Sequence, residues 1–332
     1  MHFDFGFRVD VGNDIGSGHF FRCLSIAEKL IEKNFKVIFL VNNLQETESH
    51  LSGKNFPYQI LGSSSEQRKI DECKILSKNI SKLIIDLPFD NQIYSESLKD
   101  VCKIITLDDL GNKKIISDIL INGSIVPDFQ NYIIDINTTK SFLGKKFTIL
   151  RSEFKTARDH VLLNKKLQKI LLIFGGSDDS DLTLQLTPYF FDKSYNLTIV
   201  LGPSYNNLEK LKKLIPNNQN FQIIRNEKNL ASLFSNQDLV ISSSGITSYE
   251  LACLGIPSIF IPVDKYQIKT AIEMEKNGFG INYGYWDDDF SNLENYILQL
   301  SDYSIREKMY YSGRKLIDGE GLERILKSII EL

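Results

Sequence analysis

The sequence predicts an α/β fold made of two similar units, and three observations carry that prediction. Short apolar runs alternate with segments of helical periodicity along the whole chain. The runs are apolar throughout rather than alternating, as in parallel strands covered by helices on both faces. The chain has 332 residues, which at roughly 150 per domain makes about two domains, each able to bury a core.

The elements follow in order. Phe5-Gly6-Phe7-Arg8-Val9 reads as the first strand, and the glycine-rich turn Gly12 to Gly18 follows it. His19 to Lys33 places Phe20, Cys23, Leu24, Ala27, Leu30 and Ile31 at helical spacing. Strands are expected at Lys36–Val41, Lys82–Asp86, Lys103–Leu107 and Asp118–Ile121. The second half repeats the scheme with strands at Lys169–Phe174, Asn196–Leu201, Gln222–Arg225, Leu239–Ser242 and Ser258–Ile261. Helical patterns intervene, notably Thr247–Leu254 and Lys269–Asn277. The charged stretch Arg151 to Lys166 marks the break. The expected division is 1–150, 151–312 and a C-terminal helix, 313–332, that packs back on the first domain.

Composition narrows the function. Lys+Arg 39 against Asp+Glu 42 gives a net charge of −3, so no basic surplus exists to hold a nucleic acid. The four cysteines, Cys23, Cys73, Cys102 and Cys253, form no Cys-x-x-Cys pair. Neither a zinc knuckle nor a disulfide scaffold is expected, and each thiol reads as a small buried hydrophobe. With four dispersed histidines, no metal site is expected. No apolar stretch is long enough to span a membrane, and Met1 to Phe7 lacks the features of a signal peptide, so a cytoplasmic location is expected.

Three loops at strand ends carry candidate chemistry. Gly12-Asn13-Asp14-Ile15-Gly16-Ser17-Gly18-His19 joins a strand to a helix. Gly16, Ser17 and Gly18 let backbone N–H groups approach a ligand at a helix N-terminus, which favours anions. The same segment also serves as a plain tight turn. His19, at the start of the helix, is the candidate base, and the macrodipole is expected to lower its pKa and keep it neutral. A capping histidine is the alternative. Asp14 is a candidate helper or a turn former. Asp86, at a strand end, contacts substrate or caps a loop.

The second loop, Ser242 to Glu250, also follows a strand and opens a helix. Ser243, Ser244, Gly245 and Thr247 could hold a diphosphate, and Glu250 could accept ribose hydroxyls. A helix cap with an acidic first turn is the alternative. Gly175-Gly176-Ser177 forms the third loop. Together the three suggest a nucleoside-diphosphate ligand.

These residues resemble a known family. Arg8-Val9-Asp10, Gly16-Ser17-Gly18-His19, Arg22, Ile84-Ile85-Asp86, Leu107-Asp108-Asp109 and Asp118 to Asn122 are similar to the UDP-sugar hydrolases of the pseudaminic acid pathway. They also resemble the related spore-coat polysaccharide proteins. The likeness continues through Leu150 to Phe154, Phe174 to Asp178, Ser243 to Ala252, and Gly313, Arg314, Asp318, Gly319, Gly321 and Arg324. The resemblance implies a GT-B-like fold, two Rossmann-like domains with parallel sheets facing one cleft.

It also implies an activity: hydrolysis of a UDP-linked 2,4-diacetamido-2,4,6-trideoxyhexose to UDP and free sugar, without a cofactor. The product would supply a nonulosonic acid of the pseudaminic type. His19 carries over as the catalytic histidine. Gly175, Gly176, Ser244, Gly245, Thr247 and Glu250 carry over as the uridine-diphosphate cradle. Ser177, Ser243, Arg22, Asp86, Tyr266 and Gln267 complete the expected substrate-binding set. Where relatives carry a His-Tyr pair after the Ile-Asp, this chain has Leu87-Pro88-Phe89; where they carry Asn-Gln, it has Tyr266-Gln267. The expected reaction is inverting hydrolysis with His19 as general base. The alternatives are a GT-B glycosyltransferase using a UDP-sugar donor and a non-catalytic UDP-sugar-binding subunit. The oligomeric state is open, a monomer included.

Overall fold

The computed structural model describes residues 2–10, 18–42, 47–48, 51, 56–62, 65–88, 91–216, 220–227 and 229–332. The chain forms two units: 1–151 together with 320–332, and 152–319.

The first unit is built on β1 (Phe3–Val9), β2 (Val37–Val41), β3 (Tyr58–Ile60), β4 (Ile80–Asp86) and β5 (Lys103–Leu107), with β7 (Ile119–Asn122) and β9 (Lys140–Leu143) at the far edge. The strand order is β3-β2-β1-β4-β5-β7-β9, with every pairing parallel. Two short strands, β6 (Lys113–Lys114) and β8 (Tyr132–Ile133), pair separately. Helix α1 (Gly18–Glu32) covers one face of the large sheet. There Phe7 stacks on Phe39 at 4.9 Å between ring centroids and Phe20 leans on the same ring. The other face is covered by α2 (Glu66–Ser77) and α3 (Asn91–Leu98), whose Ile70, Cys73, Tyr94 and Leu98 pack with Leu40, Leu83 and Ile85.

The second unit repeats the plan. It runs α4 (Ser152–Arg158), β10 (Lys169–Ile173), α5 (Leu182–Leu186), β11 (Asn196–Leu201), α6 (Leu208–Leu214), β12 (Phe221–Arg225), α7 (Leu230–Ser235), β13 (Leu239–Ser242), α8 (Ile246–Leu254), β14 (Ser258–Phe260), α9 (Lys265–Lys276), β15 (Ile281–Asn282), α10 (Leu293–Gln299) and α11 (Tyr303–Leu316). Its parallel sheet has the order β12-β11-β10-β13-β14-β15. Fully buried Arg306 on α11 donates to the carbonyls of Leu300, Asn164 and Lys165, tying the helix to the strand-entry segment. Arg158 does the same for the carbonyls of Cys253, Ile317 and Arg314.

The boundary expected at residue 313 falls inside α11, which stays with the second unit through Leu316 because its buried face (Met309, Gly313, Leu316) packs there. The chain rejoins the first unit at Glu320. Its last helix, α12 (Gly321–Glu331), places Leu322, Ile325, Leu326 and Ile329 in the core beside α1. Cys23, Cys73 and Cys253 are buried, and Cys102 is partly so. Among the described residues, no helix is long and apolar enough to cross a membrane.

Candidate functional site

Numbering the strands of each main sheet in chain order gives the same layout twice, 3-2-1-4-5. The chain runs out one way from the first strand and the other way from the fourth, so a crevice opens between their carboxyl ends. In the first unit those strands are β1 and β4, with Val9 opposite Asp86. In the second they are β10 and β13, with Ile173 opposite Ser242.

At the first crevice α1 begins at Gly18, so His19 and Arg22, three residues apart, share one helix face. That face meets Asp86. His19 Nδ1 lies 2.7 Å from Asp86 Oδ1. Arg22 donates Nε to Asp86 Oδ2 at 2.8 Å and Nη2 to Asp86 Oδ1 at 2.6 Å, a two-pronged grip. Its remaining Nη1 donates to Asp109 Oδ1 at 2.6 Å. Cys23 brings its thiol 3.6 Å from Asp86 Oδ2. Asp86 is fully buried, whereas the His19 side chain is 21% exposed.

The buried carboxylate fixes the imidazole's proton on Nδ1, which donates to Asp86. Among the described residues, Nε2 makes no hydrogen bond, so it is the nitrogen available to a reactant. Burial works against the charge on Asp86, but Arg22 and His19 outweigh it and hold the carboxyl far below the usual carboxylate range. Burial likewise works against a charged His19, and Arg22 repels it. Even so, Asp86, by charge and hydrogen bond, raises the imidazole above its ordinary value of 6.5.

This corrects the expectation that the helix N-terminus keeps His19 neutral. A full carboxylate at 2.7 Å outweighs the partial charge of a helix end. Asp86, expected to touch substrate or cap a loop, holds the imidazole of His19. Arg22, expected to bind substrate, has its guanidinium taken up by Asp86 and Asp109. Asp14, Gly16 and Ser17 lie outside the described residues. Asp109, 41% exposed, belongs to the Leu107-Asp108-Asp109 motif, which by itself assigns it no role. Its signal was an acidic residue just past an apolar strand end.

At the second crevice, Phe174 leads into Gly175, Gly176 and Ser177. Gly175 is exposed and takes φ +78°, a backbone that only glycine adopts readily. The neighbouring turn presses on this loop: a Cβ on Gly202 would stand 2.2 Å from the Gly176 carbonyl oxygen. Ser204 N donates to that same carbonyl at 3.1 Å. Asp178 closes the loop by accepting from Leu182 N at 3.0 Å and Thr183 N at 2.9 Å. Burial pushes its carboxyl up to about 6 despite those bonds.

Ser243 and Ser244 are buried at the end of β13, and Gly245 precedes α8. Ser244 donates its N–H to Gln267 Oε1 at 3.2 Å and its hydroxyl to the Gln267 carbonyl at 2.8 Å. Val263 N also donates to Gln267 Oε1. The Gln267 side-chain oxygen thus braces the loop. Asp264 caps α9 by accepting from Tyr266 N and Gln267 N, and the Tyr266 ring is exposed. Thr247 is half-buried on the first turn of α8, while Glu250 is buried one turn further on. Among the described residues, no group of three or more His, Cys, Asp or Glu side chains could hold a metal ion.

Two doubly wound parallel units define a protein of the GT-B fold. MurG of Acinetobacter baumannii superposes with a TM-score of 0.72 at 14% identity, covering 99% of this chain and 100% of that one. Residues 170–315 match the family described as Glycosyltransferase family 28 C-terminal domain.

Similarity at the level of sequence extends to nucleotide-sugar and polysaccharide proteins and to an uncharacterized one. The spore coat polysaccharide biosynthesis protein SpsG of Bacillus subtilis is 26% identical, over 98% of both chains. The UDP-2,4-diacetamido-2,4,6-trideoxy-beta-L-altropyranose hydrolase of Campylobacter jejuni is 26% identical, over 84% of this chain and 98% of its own. An uncharacterized protein of Methanocaldococcus jannaschii is 28% identical over 78% of this chain, a match spanning only 55% of that protein's length. The chain is thus similar to the hydrolase and to SpsG, the likeness its motifs indicated.

Proposed function

We propose that the protein hydrolyses a UDP-linked 2,4-diacetamido-2,4,6-trideoxyhexose to UDP and free sugar, with inversion, as a step toward a nonulosonic acid. The observation that carries the reading is the His19–Asp86 pair at 2.7 Å. Binding alone does not call for an imidazole oriented by a buried carboxylate, whereas proton transfer does. Likeness to the Campylobacter hydrolase over 98% of that protein supports the substrate class.

In this reading a water hydrogen-bonded to His19 Nε2 attacks the anomeric carbon. The C–O bond to the diphosphate breaks with its electron pair going to UDP, and the water's proton passes to Nε2. Asp86 stabilises the imidazolium that forms, and Arg22 keeps Asp86 ionised. Base catalysis of this kind is worth about 10²–10⁴-fold. UDP is assigned to the second unit, with Gly175, Gly176 and Ser177 offering backbone N–H groups and Ser243, Ser244, Gly245 and Thr247 the start of α8. Glu250 and Tyr266 are assigned to the nucleotide and sugar ends, and Asp14, Gly16, Ser17 and Gly18 to the reacting end. The enzyme is assigned to the cytoplasm.

A second reading, a glycosyltransferase, is favoured by the family match over residues 170–315. The same base would then deprotonate a sugar hydroxyl. Incubation with a panel of UDP-diacetamido sugars and no acceptor separates the two. UDP release at an acceptor-independent rate supports hydrolysis; release only after an acceptor is added supports transfer.

A further inference from the structure

The first sheet carries a second polar assembly, on the face opposite α1. Arg8 pairs in register with Ile85 and shares that face with Leu83, Tyr94 and Leu40. It is fully buried. Its guanidinium grips the Asp10 carboxylate with both Nη atoms, Nη2 to Oδ2 at 3.0 Å. Nη2 also donates to Tyr94 OH at 3.1 Å, and the guanidinium carbon sits 4.7 Å from the Tyr94 ring centre. Tyr94 OH in turn donates to Glu66 Oε1 at 2.7 Å, and Lys69 pairs with Glu66.

Stability is a poor reason for this arrangement. Apolar side chains of similar volume are often neutral or better than a buried ion pair, and Arg8 Nε is left buried without a hydrogen bond. What the assembly achieves is a fixed carboxylate. Val9 is opposite Asp86, so Asp10 is the first residue past that rung, at the carboxyl edge where ligands bind in such sheets. Its side chain is 13% exposed. Its two neighbours in the assembly, Tyr94 on the first turn of α3 and Glu66 at the start of α2, stand at the same edge.

We propose that Asp10, locked by Arg8, is a binding carboxylate for the glycosyl half of the substrate, accepting hydrogen bonds from its hydroxyl or amide N–H donors. The inference rests on the UDP-sugar reading above and adds a sugar-recognising group from the opposite face of the sheet to His19. Arg8, Tyr94 and Glu66 are positioning residues for it.

The test compares the affinity for the intact UDP-diacetamido sugar with that for UDP alone, by calorimetry on the His19→Ala background, in which turnover is too slow to consume the ligand. Because it reads binding, it stands apart from turnover: wild-type protein that binds the sugar nucleotide but never hydrolyses it overturns the hydrolase reading, not this one. For Asp10→Asn the ratio of the two affinities should fall about 10- to 100-fold, the range for hydrogen bonds to a charged group, with UDP affinity unchanged. Asp10→Glu keeps the pairing with Arg8 but shifts the carboxylate by one methylene, and should lower the ratio too. Arg8→Lys, which loses the fork, should give a smaller fall. An unchanged ratio in the Asp10 variants with native melting curves overturns the inference, as does an equal loss of UDP affinity.

Discussion

His19 Nδ1 and Asp86 Oδ1 stand 2.7 Å apart although 67 residues separate them in the chain. The contact exists because the strand that precedes α1 and the strand that ends in Asp86 are neighbours in the sheet. It sets both the tautomer and the basicity of the imidazole, and it makes the pH dependence informative. His19 is raised above 6.5 by Asp86 against the effect of burial, so the base form accumulates only as pH rises through that higher value. The acid limb of kcat/KM should therefore lie above 6.5. Asp86→Asn removes the charge that favours imidazolium, so burial dominates and the limb moves to lower pH. The plateau should fall about 10²–10⁴-fold. A limb that stays put in Asp86→Asn would detach it from His19.

Arg22 holds Asp86 in its charged form. Replacing it with methionine leaves a fully buried carboxylate without its main partner, and breaking such a pair costs about 3–5 kcal/mol. Chemical denaturation should show a loss of that size, and Arg22→Lys, which keeps the charge but not the fork, a smaller one. Asp86 has a depressed pKa, so its stabilisation is present above its ordinary value of 3.8 and disappears as pH falls toward the lowered value. The Arg22 loss should accordingly shrink in strong acid.

Asp178 runs the other way. Its carboxyl is raised from 3.8 to about 6 by burial, so the folded state holds the proton more tightly than the unfolded chain. Its contribution favours folding below about pH 4 and is lost as pH rises through 6. The stability of wild type minus that of Asp178→Asn should therefore decrease between pH 4 and pH 7. A flat difference would show that Asp178 does not titrate in that window.

The last helix belongs energetically to the first unit. Ile325 and Ile329 are fully buried beside α1. Ile325→Ala should cost about 2–5 kcal/mol. If the two units melt separately in calorimetry, that loss should fall on the transition of the first unit alone.

Much of this layout was legible in the chain because buried parallel strands are uninterrupted apolar runs, as at Leu83-Ile84-Ile85 and Leu239-Val240-Ile241. The strands that escaped are at or near the edges and carry little such signal. Tyr58–Ile60 is only half-buried, Lys140–Leu143 begins exposed and polar, and Ile281–Asn282 has two residues. His19 stood out because glycines precede it at a helix start. The direction of its pKa shift was hidden because local sequence shows the helix dipole but not a carboxylate brought in by a strand far along the chain. Asp10 and Asp109 did leave a signal, an acidic residue just beyond an apolar strand. Arg8 left one too, a charge inside such a strand; its partners on α2 and α3 are set only by the sheet order.

The central claim is that His19 delivers water to the anomeric carbon of a UDP-sugar. Single-turnover reaction of the UDP-diacetamido sugar in ¹⁸O-water, followed by mass spectrometry, tests it directly. The account predicts the label in the free sugar and none in UDP, with His19→Ala slowed about 10²–10⁴-fold while still binding UDP. Label in the phosphate of UDP, or an unchanged rate in His19→Ala, would contradict it.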